Sequence, residues 1–199
     1  MNYGSDVNGL VNSIVQYSAI IGFLEFGVGA VVQSSLYKPL ADKDDVEISK
    51  IIVSAGRFFR KLALILLFYI GLLIIFYPML VKSHFDWLYT AGLIIAVSIS
   101  SFAQYYFGVV DRLLLTAAQR GYVQYIAQIT TLIVNTIACV ILIKMDASIH
   151  LVKLTTSIIF LVRPIYLRWY TNKMFSLVRD IDYVGEPIKQ KWNGAAQHF

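Results

Sequence analysis

The amino-acid sequence predicts an all-α fold, a polytopic transmembrane helix bundle of about five spans. Of the 199 residues, 58% are hydrophobic and 15% are charged, whereas a soluble domain has about 25% charged residues. Residues 62–81, 88–110 and 121–143 contain no charged residue at all. Each of these stretches is long enough, at about 1.5 Å per residue, to cross about 30 Å of hydrocarbon. The composition therefore indicates an integral membrane protein.

Two further stretches are long but less apolar. Residues 9–36 contain Glu25 and Gln33 among other polar residues, and the last stretch contains Arg163 and Pro164. The sequence thus predicts a transmembrane bundle over residues 1–175 and a cytoplasmic linker over residues 176–199. The predicted spans are residues 9–36, 57–81, 87–111, 121–143 and 150–170.

The distribution of basic residues predicts the orientation of the spans. No Lys or Arg precedes Lys38, and basic residues near helix ends mark the cytoplasmic side of a membrane. We therefore expect the N-terminus outside and the C-terminus inside. A first span without a basic flank also leads us to expect a missing helix ahead of it, in a larger protein. The first basic group consists of Lys38, Lys43, Lys50, Arg57, Arg60 and Lys61.

Several classes of function are disfavoured by composition. Cys139 is the single cysteine, and the three histidines lie far apart in the sequence, so we expect no metal site and no cofactor. Long apolar runs separate the basic residues, so the net charge of +5 suits anionic membrane lipids and not nucleic acid. No nucleophile, catalytic base pair or phosphate-binding loop stands out, and we do not expect an enzyme.

Polar residues recur at helical spacing on one face of three predicted spans. Such groups are costly in hydrocarbon, so these faces should look into the protein. They could pack helices together, or they could line a water-filled cavity, and the sequence leaves both interpretations open. The stripes are Ser18, Gly22, Glu25, Gly29 and Gln33; Ser98, Ser101, Gln104, Gly108 and Asp111; and Gln124, Gln128, Thr131 and Asn135. The second span has no such stripe and is expected to face lipid more fully.

Two charged residues lie inside predicted spans. Glu25 needs a partner or a raised pKa in such a position, and it is a candidate proton or sodium site. Arg163 could reach the membrane interface, form a structural pair or bind an anion. Our hypothesis is that Arg163 faces a cavity, with Pro164 able to kink the helix beside it.

Five sequence motifs, in order, suggest a family. They are LEFGVG at residues 24–29, LYKPLADKD at 36–44, RLLLTAAQRG at 112–121, Arg163-Pro164, and PIKQKWNGAAQH at 187–198. Together they cover nearly the whole chain. In this pattern the chain resembles bacterial polysaccharide flippases of the multidrug/oligosaccharidyl-lipid/polysaccharide exporter superfamily.

The resemblance implies a function and partners. It implies that undecaprenyl-pyrophosphate-linked oligosaccharide repeat units are moved across the bacterial cytoplasmic membrane by alternating access. It also implies a missing N-terminal helix and a missing C-terminal lobe, so that this chain supplies the second to sixth helices. A drug or metabolite antiporter of the same superfamily and a non-transporting membrane scaffold subunit remain alternatives. The candidate cavity-lining residues are Arg163, Arg57, Glu25, Gln33, Gln104, Gln124, Gln128 and Asn135.

Overall fold

The described part of the chain is a bundle of long helices. The computed structural model describes residues 9, 11–13, 15, 16, 23–80 and 86–179, except for the side chains of residues 23–26 and 77–80. A π-helical turn (Gln104–Gly108) joins two helices into one continuous rod, Trp87–Ala117, here called the central rod. The helices are α1 (Phe23–Asp42), α2 (Asp45–Leu80), α3 (Trp87–Ala103), α4 (Val109–Ala117), α5 (Tyr122–Lys144) and α6 (Ile149–Met174).

Four helical segments are long and apolar enough to cross a membrane: Asp45–Phe76, the central rod, α5 and α6. With α1 beside them, the predicted all-α polytopic bundle of about five spans is confirmed. The second helix begins at Asp45, twelve residues before the predicted start of its span, because the charged residues 45–61 continue the helix. At 36 residues it is roughly 54 Å long, longer than the hydrocarbon layer.

Three tight turns make neighbouring helices antiparallel. Lys43, Gln119 and Asp146 each follow a helix with a φ of 54° to 57°, the left-handed conformation that closes a helix end. At the second turn, the Arg120 N–H donates to the Leu115 carbonyl (2.8 Å) and the Gln119 N–H to the Thr116 carbonyl (3.1 Å). These two bonds satisfy carbonyls that the helix end would otherwise leave unpaired.

The apolar core lies between α1, α2 and the central rod, and α6 packs on the other side of the rod. Fully buried side chains there include Phe59, Leu66, Leu93 and Leu114. The second span is expected to face lipid more fully than the striped spans, and it does so relative to the central rod but not relative to α5. The most apolar stretch of α2 is 33% buried, that of the rod 44% and that of α5 11%, because α5 packs mainly on α6.

Basic residues gather at one end of the bundle, here called the basic end. It holds the last turns of α1, α4 and α6 and the first turns of α2 and α5, and the Val178 N–H donates to Ser49 Oγ across it (3.1 Å). Among the described residues, the opposite end carries only Lys144 and Lys153. The basic end carries Lys38, Lys43, Lys50, Arg57, Arg60, Lys61, Arg112, Arg120, Arg168, Lys173 and Arg179.

Candidate functional site

Two cavities lie on opposite sides of the π-helical turn. The wider turn of a π-helix changes the faces that its side chains occupy, and such turns are frequent at functional sites. Gln104 and Gly108 face a cavity of about 320 Å³ between the turn, α5 and α6, here called the glutamine cavity. Tyr106 and Phe107 face a second one of about 390 Å³ between the turn, α2 and α6, here called the arginine groove.

The glutamine cavity unites four of the residues proposed from sequence. Gln104 comes from the central rod, Gln124 and Gln128 come from α5, and Arg163 comes from α6. Gln104 and Gln128 are exposed at the open side of the cavity. Arg112, Gly108, Ala127, Pro164 and Leu167 complete the lining. Three helices thus place three amide side chains and two arginines, Arg163 and Arg112, around one space.

Arg163 is oriented by contacts with its own wall of the cavity. Its Nε donates to Thr131 Oγ1 and its Nη2 lies 3.5 Å from the Gln128 carbonyl oxygen. The guanidinium carbon lies 4.0 Å from the centre of the Phe160 ring, a cation–π contact. Within the described residues no carboxylate forms an ion pair with Arg163. The positive charge of Arg163 is therefore stabilised by a hydroxyl, a carbonyl and an aromatic ring.

In the polar stripes of the central rod and α5, some residues line a cavity and others pack helices against each other. On the rod, Gly108 packs so closely on α6 that a Cβ added there would lie 2.7 Å from Pro164 Cβ. On α5, Asn135 lies beyond the cavity, where its Oδ1 is 3.6 Å from Cys139 Sγ. The stripe on α5 thus lines the cavity with its first two turns. Beyond the cavity α5 packs on α6, where Cys139 Sγ lies 3.6 Å from Thr156 Oγ1.

The two remaining predicted residues of the first span stand apart. Gln33 lies on α1, half-buried, and lines neither cavity. The Glu25 side chain, and the part of its stripe that precedes α1, lie outside the described residues. Gly29 is buried, and a Cβ there would lie 3.4 Å from the Leu113 side chain, so this part of the stripe packs α1 on the rod.

Arg57 lies in the arginine groove and not beside Arg163. The groove also contains Arg60, Arg168 and Arg179, which reach it from α2, from the end of α6 and from the segment that follows α6. The Arg60 guanidinium lies 5.7 Å from the Tyr106 ring centre, and that of Arg168 lies 6.0 Å from the Phe107 ring centre. Sequence spacing could not show this grouping because the four residues come from distant segments.

A buried ion pair closes one side of the arginine groove. Asp111 is fully buried, and its Oδ1 accepts from Arg179 Nη2 (2.6 Å) and from Thr171 Oγ1 (2.6 Å). Among the described residues, Asp111 Oδ2 has no hydrogen-bond partner. The sequence placed Asp111 on a polar stripe, but it gave no signal for a partner 68 residues away.

No known protein family, no curated protein and no solved structure matches this chain.

Proposed function

We propose that this chain belongs to a transporter that moves lipid-linked oligosaccharide repeat units, carried on undecaprenyl pyrophosphate, across the bacterial cytoplasmic membrane. The observation that carries the proposal is Arg163, a guanidinium in the glutamine cavity with no carboxylate partner among the described residues. A guanidinium binds phosphate oxygens through paired, charge-assisted hydrogen bonds. Such a group inside an apolar bundle suits an anionic head group that enters the membrane.

The amide side chains suit the sugar portion of the same substrate. Gln104, Gln124 and Gln128 each present both a donor and an acceptor, and they surround Arg163 in the cavity. Hydroxyl-rich sugars need such groups to replace the water lost on entry. The lipid tail would remain in the bilayer beside the exposed, apolar face of α5.

Alternating access would supply the movement. Gln104 and Gln128 are exposed at membrane depth, where uncovered polar groups are costly. We therefore propose that the open side of the glutamine cavity faces a second helical lobe and that the two lobes rock about this site. We further propose that the basic end is cytoplasmic, because basic residues are retained on that side.

The experiment is transport by the full protein that contains this chain, in a bacterial strain that lacks its own flippase. Lipid-linked repeat units reaching the outer leaflet are measured for wild type, Arg163→Ala, Arg163→Lys and Lys153→Ala, at matched expression. We expect Arg163→Ala to lower transport by roughly tenfold or more, because a charged hydrogen bond contributes about 1.5–3 kcal/mol. The lysine variant should restore part of the activity, and Lys153→Ala, on the same helix, should have no effect.

Full transport by Arg163→Ala would contradict the role of this residue. If wild type moves no lipid-linked sugar and instead confers drug resistance on overexpression, the protein is an antiporter and the substrate proposed here is wrong. If neither activity occurs, the scaffold alternative is favoured.

A further inference from the structure

The arginine groove contains more positive charge than its surroundings neutralise. Four guanidiniums, those of Arg57, Arg60, Arg168 and Arg179, line about 390 Å³. Among the described residues, Asp111 is the single carboxylate that pairs with any of them, and it pairs with Arg179. Like charges gathered in one groove repel each other unless an anion lies between them.

The groove is built in a way that holds its cations in place. Tyr106 and Phe107 of the π-helical turn lie beneath Arg60 and Arg168, and Asn172 Oδ1 accepts from Arg179 Nε (2.8 Å). A guanidinium that already contacts an aromatic ring loses less conformational freedom when a ligand binds. The exposed Arg57 has no partner among the described residues.

The depth of the groove indicates the kind of anion. It lies at the basic end, one to two turns before α2 presents its exposed apolar residues Leu64, Ile65 and Phe68. Trp169, which is also exposed, marks the same level on α6, and tryptophan favours the membrane–water interface. An anion in the groove is therefore level with lipid head groups, with an apolar surface beside it for acyl chains.

We infer that the arginine groove binds the phosphate group of an anionic membrane lipid. Basic pockets between transmembrane helices are recognised as sites for anionic head groups. This inference does not depend on the proposed transport function, because the groove and the glutamine cavity share no lining residue. Bound lipid would join α2 to the end of α6 through its phosphate oxygens.

Native mass spectrometry of the purified full chain in detergent tests this inference. Phosphatidylglycerol and the zwitterionic phosphatidylcholine are titrated in turn, and the apparent Kd of the first bound lipid is measured. The groove variant Arg57→Gln/Arg168→Gln is compared with Lys38→Gln/Lys43→Gln, which removes the same charge from the basic end outside the groove. We expect wild type to prefer phosphatidylglycerol, the groove variant to bind it at least tenfold more weakly, and the lysine variant to stay within about threefold.

A single-site variant and a soluble competitor complete the binding experiment. If circular dichroism shows that the groove variant Arg57→Gln/Arg168→Gln does not fold, Arg57→Gln alone replaces it, since this side chain is exposed. The expected loss of affinity for phosphatidylglycerol is then about fivefold. Inorganic pyrophosphate is added as a soluble competitor, and displacement of the lipid supports a phosphate contact. Equal binding of both lipids, equal losses in the arginine and lysine variants, or binding of pyrophosphate without phosphatidylglycerol would overturn the inference.

Discussion

Gly108→Ala tests the contact that brings the central rod onto α6 beside the glutamine cavity. The backbone of Gly108 (φ −101°, ψ −30°) is open to alanine, so the substitution introduces no backbone strain and any loss of stability comes from the space available to the new Cβ. The added Cβ would lie 2.7 Å from Pro164 Cβ, about 1 Å closer than an ordinary carbon–carbon contact. Both atoms belong to rigid parts of their residues, so the helices must move apart.

The magnitude follows from two opposed effects. Overpacking costs about 1–3 kcal/mol, whereas replacing a helical glycine by alanine gains about 0.5–1 kcal/mol. We therefore expect Gly108→Ala to lower the free energy of unfolding by about 1–2 kcal/mol. Gly71→Ala is the matched control, because nothing lies within 4 Å of a Cβ placed there in α2. The free energy of unfolding of this control should rise by about 0.5–1 kcal/mol.

The assay is reversible unfolding of the detergent-solubilised chain, followed by circular dichroism. The expected order of stability is Gly71→Ala, then wild type, then Gly108→Ala. A Gly108→Ala protein as stable as Gly71→Ala would refute the close approach of the rod and α6.

Two further predictions use the same unfolding measurement. Arg179→Ala should lower the free energy of unfolding by about 3 kcal/mol, because it leaves the fully buried Asp111 carboxylate without its cation. Asp111→Ala should cost less, because the Arg179 side chain is 23% exposed and can reach water. Equal stability of the Arg179 variant and wild type would argue against the pair. Gln119→Gly should raise the free energy of unfolding by about 1 kcal/mol, because the left-handed φ of 57° strains any residue with a Cβ; a loss of stability would show that the Gln119 side chain makes a stabilising contact.

The sequence predicts the membrane-spanning helices well because composition determines them. Uncharged, apolar runs of about 20 residues have the length that crosses the hydrocarbon layer, and the antiparallel order follows from short connections. The start of α2 at Asp45 was missed because its first turns are charged and resemble a loop. The π-helical turn was also missed, since no sequence period announces a single wide turn.

The candidate site was predictable in one part and not in another. Gln104, Gln124, Gln128 and Arg163 could be found because costly polar groups in apolar helices must face inward. The placement of Arg57 could not be predicted, because helical spacing does not say which neighbouring helix a given face of α2 contacts. Pairings across long sequence separations, such as Arg179 with Asp111, depend on how the helices pack, which periodicity does not specify.

Water access to the glutamine cavity tests the central claim most directly. In a Cys139→Ser background, Gln128→Cys and Ile129→Cys are treated in intact membranes with a charged, membrane-impermeant thiol reagent. Gln128 lines the cavity, while its neighbour Ile129, 57% exposed, lies on the apolar outer face of α5. We predict rapid labelling at residue 128 and little at residue 129, since charged reagents do not enter hydrocarbon. Equal labelling at both positions, or labelling at residue 129 alone, would contradict a polar cavity between the central rod, α5 and α6.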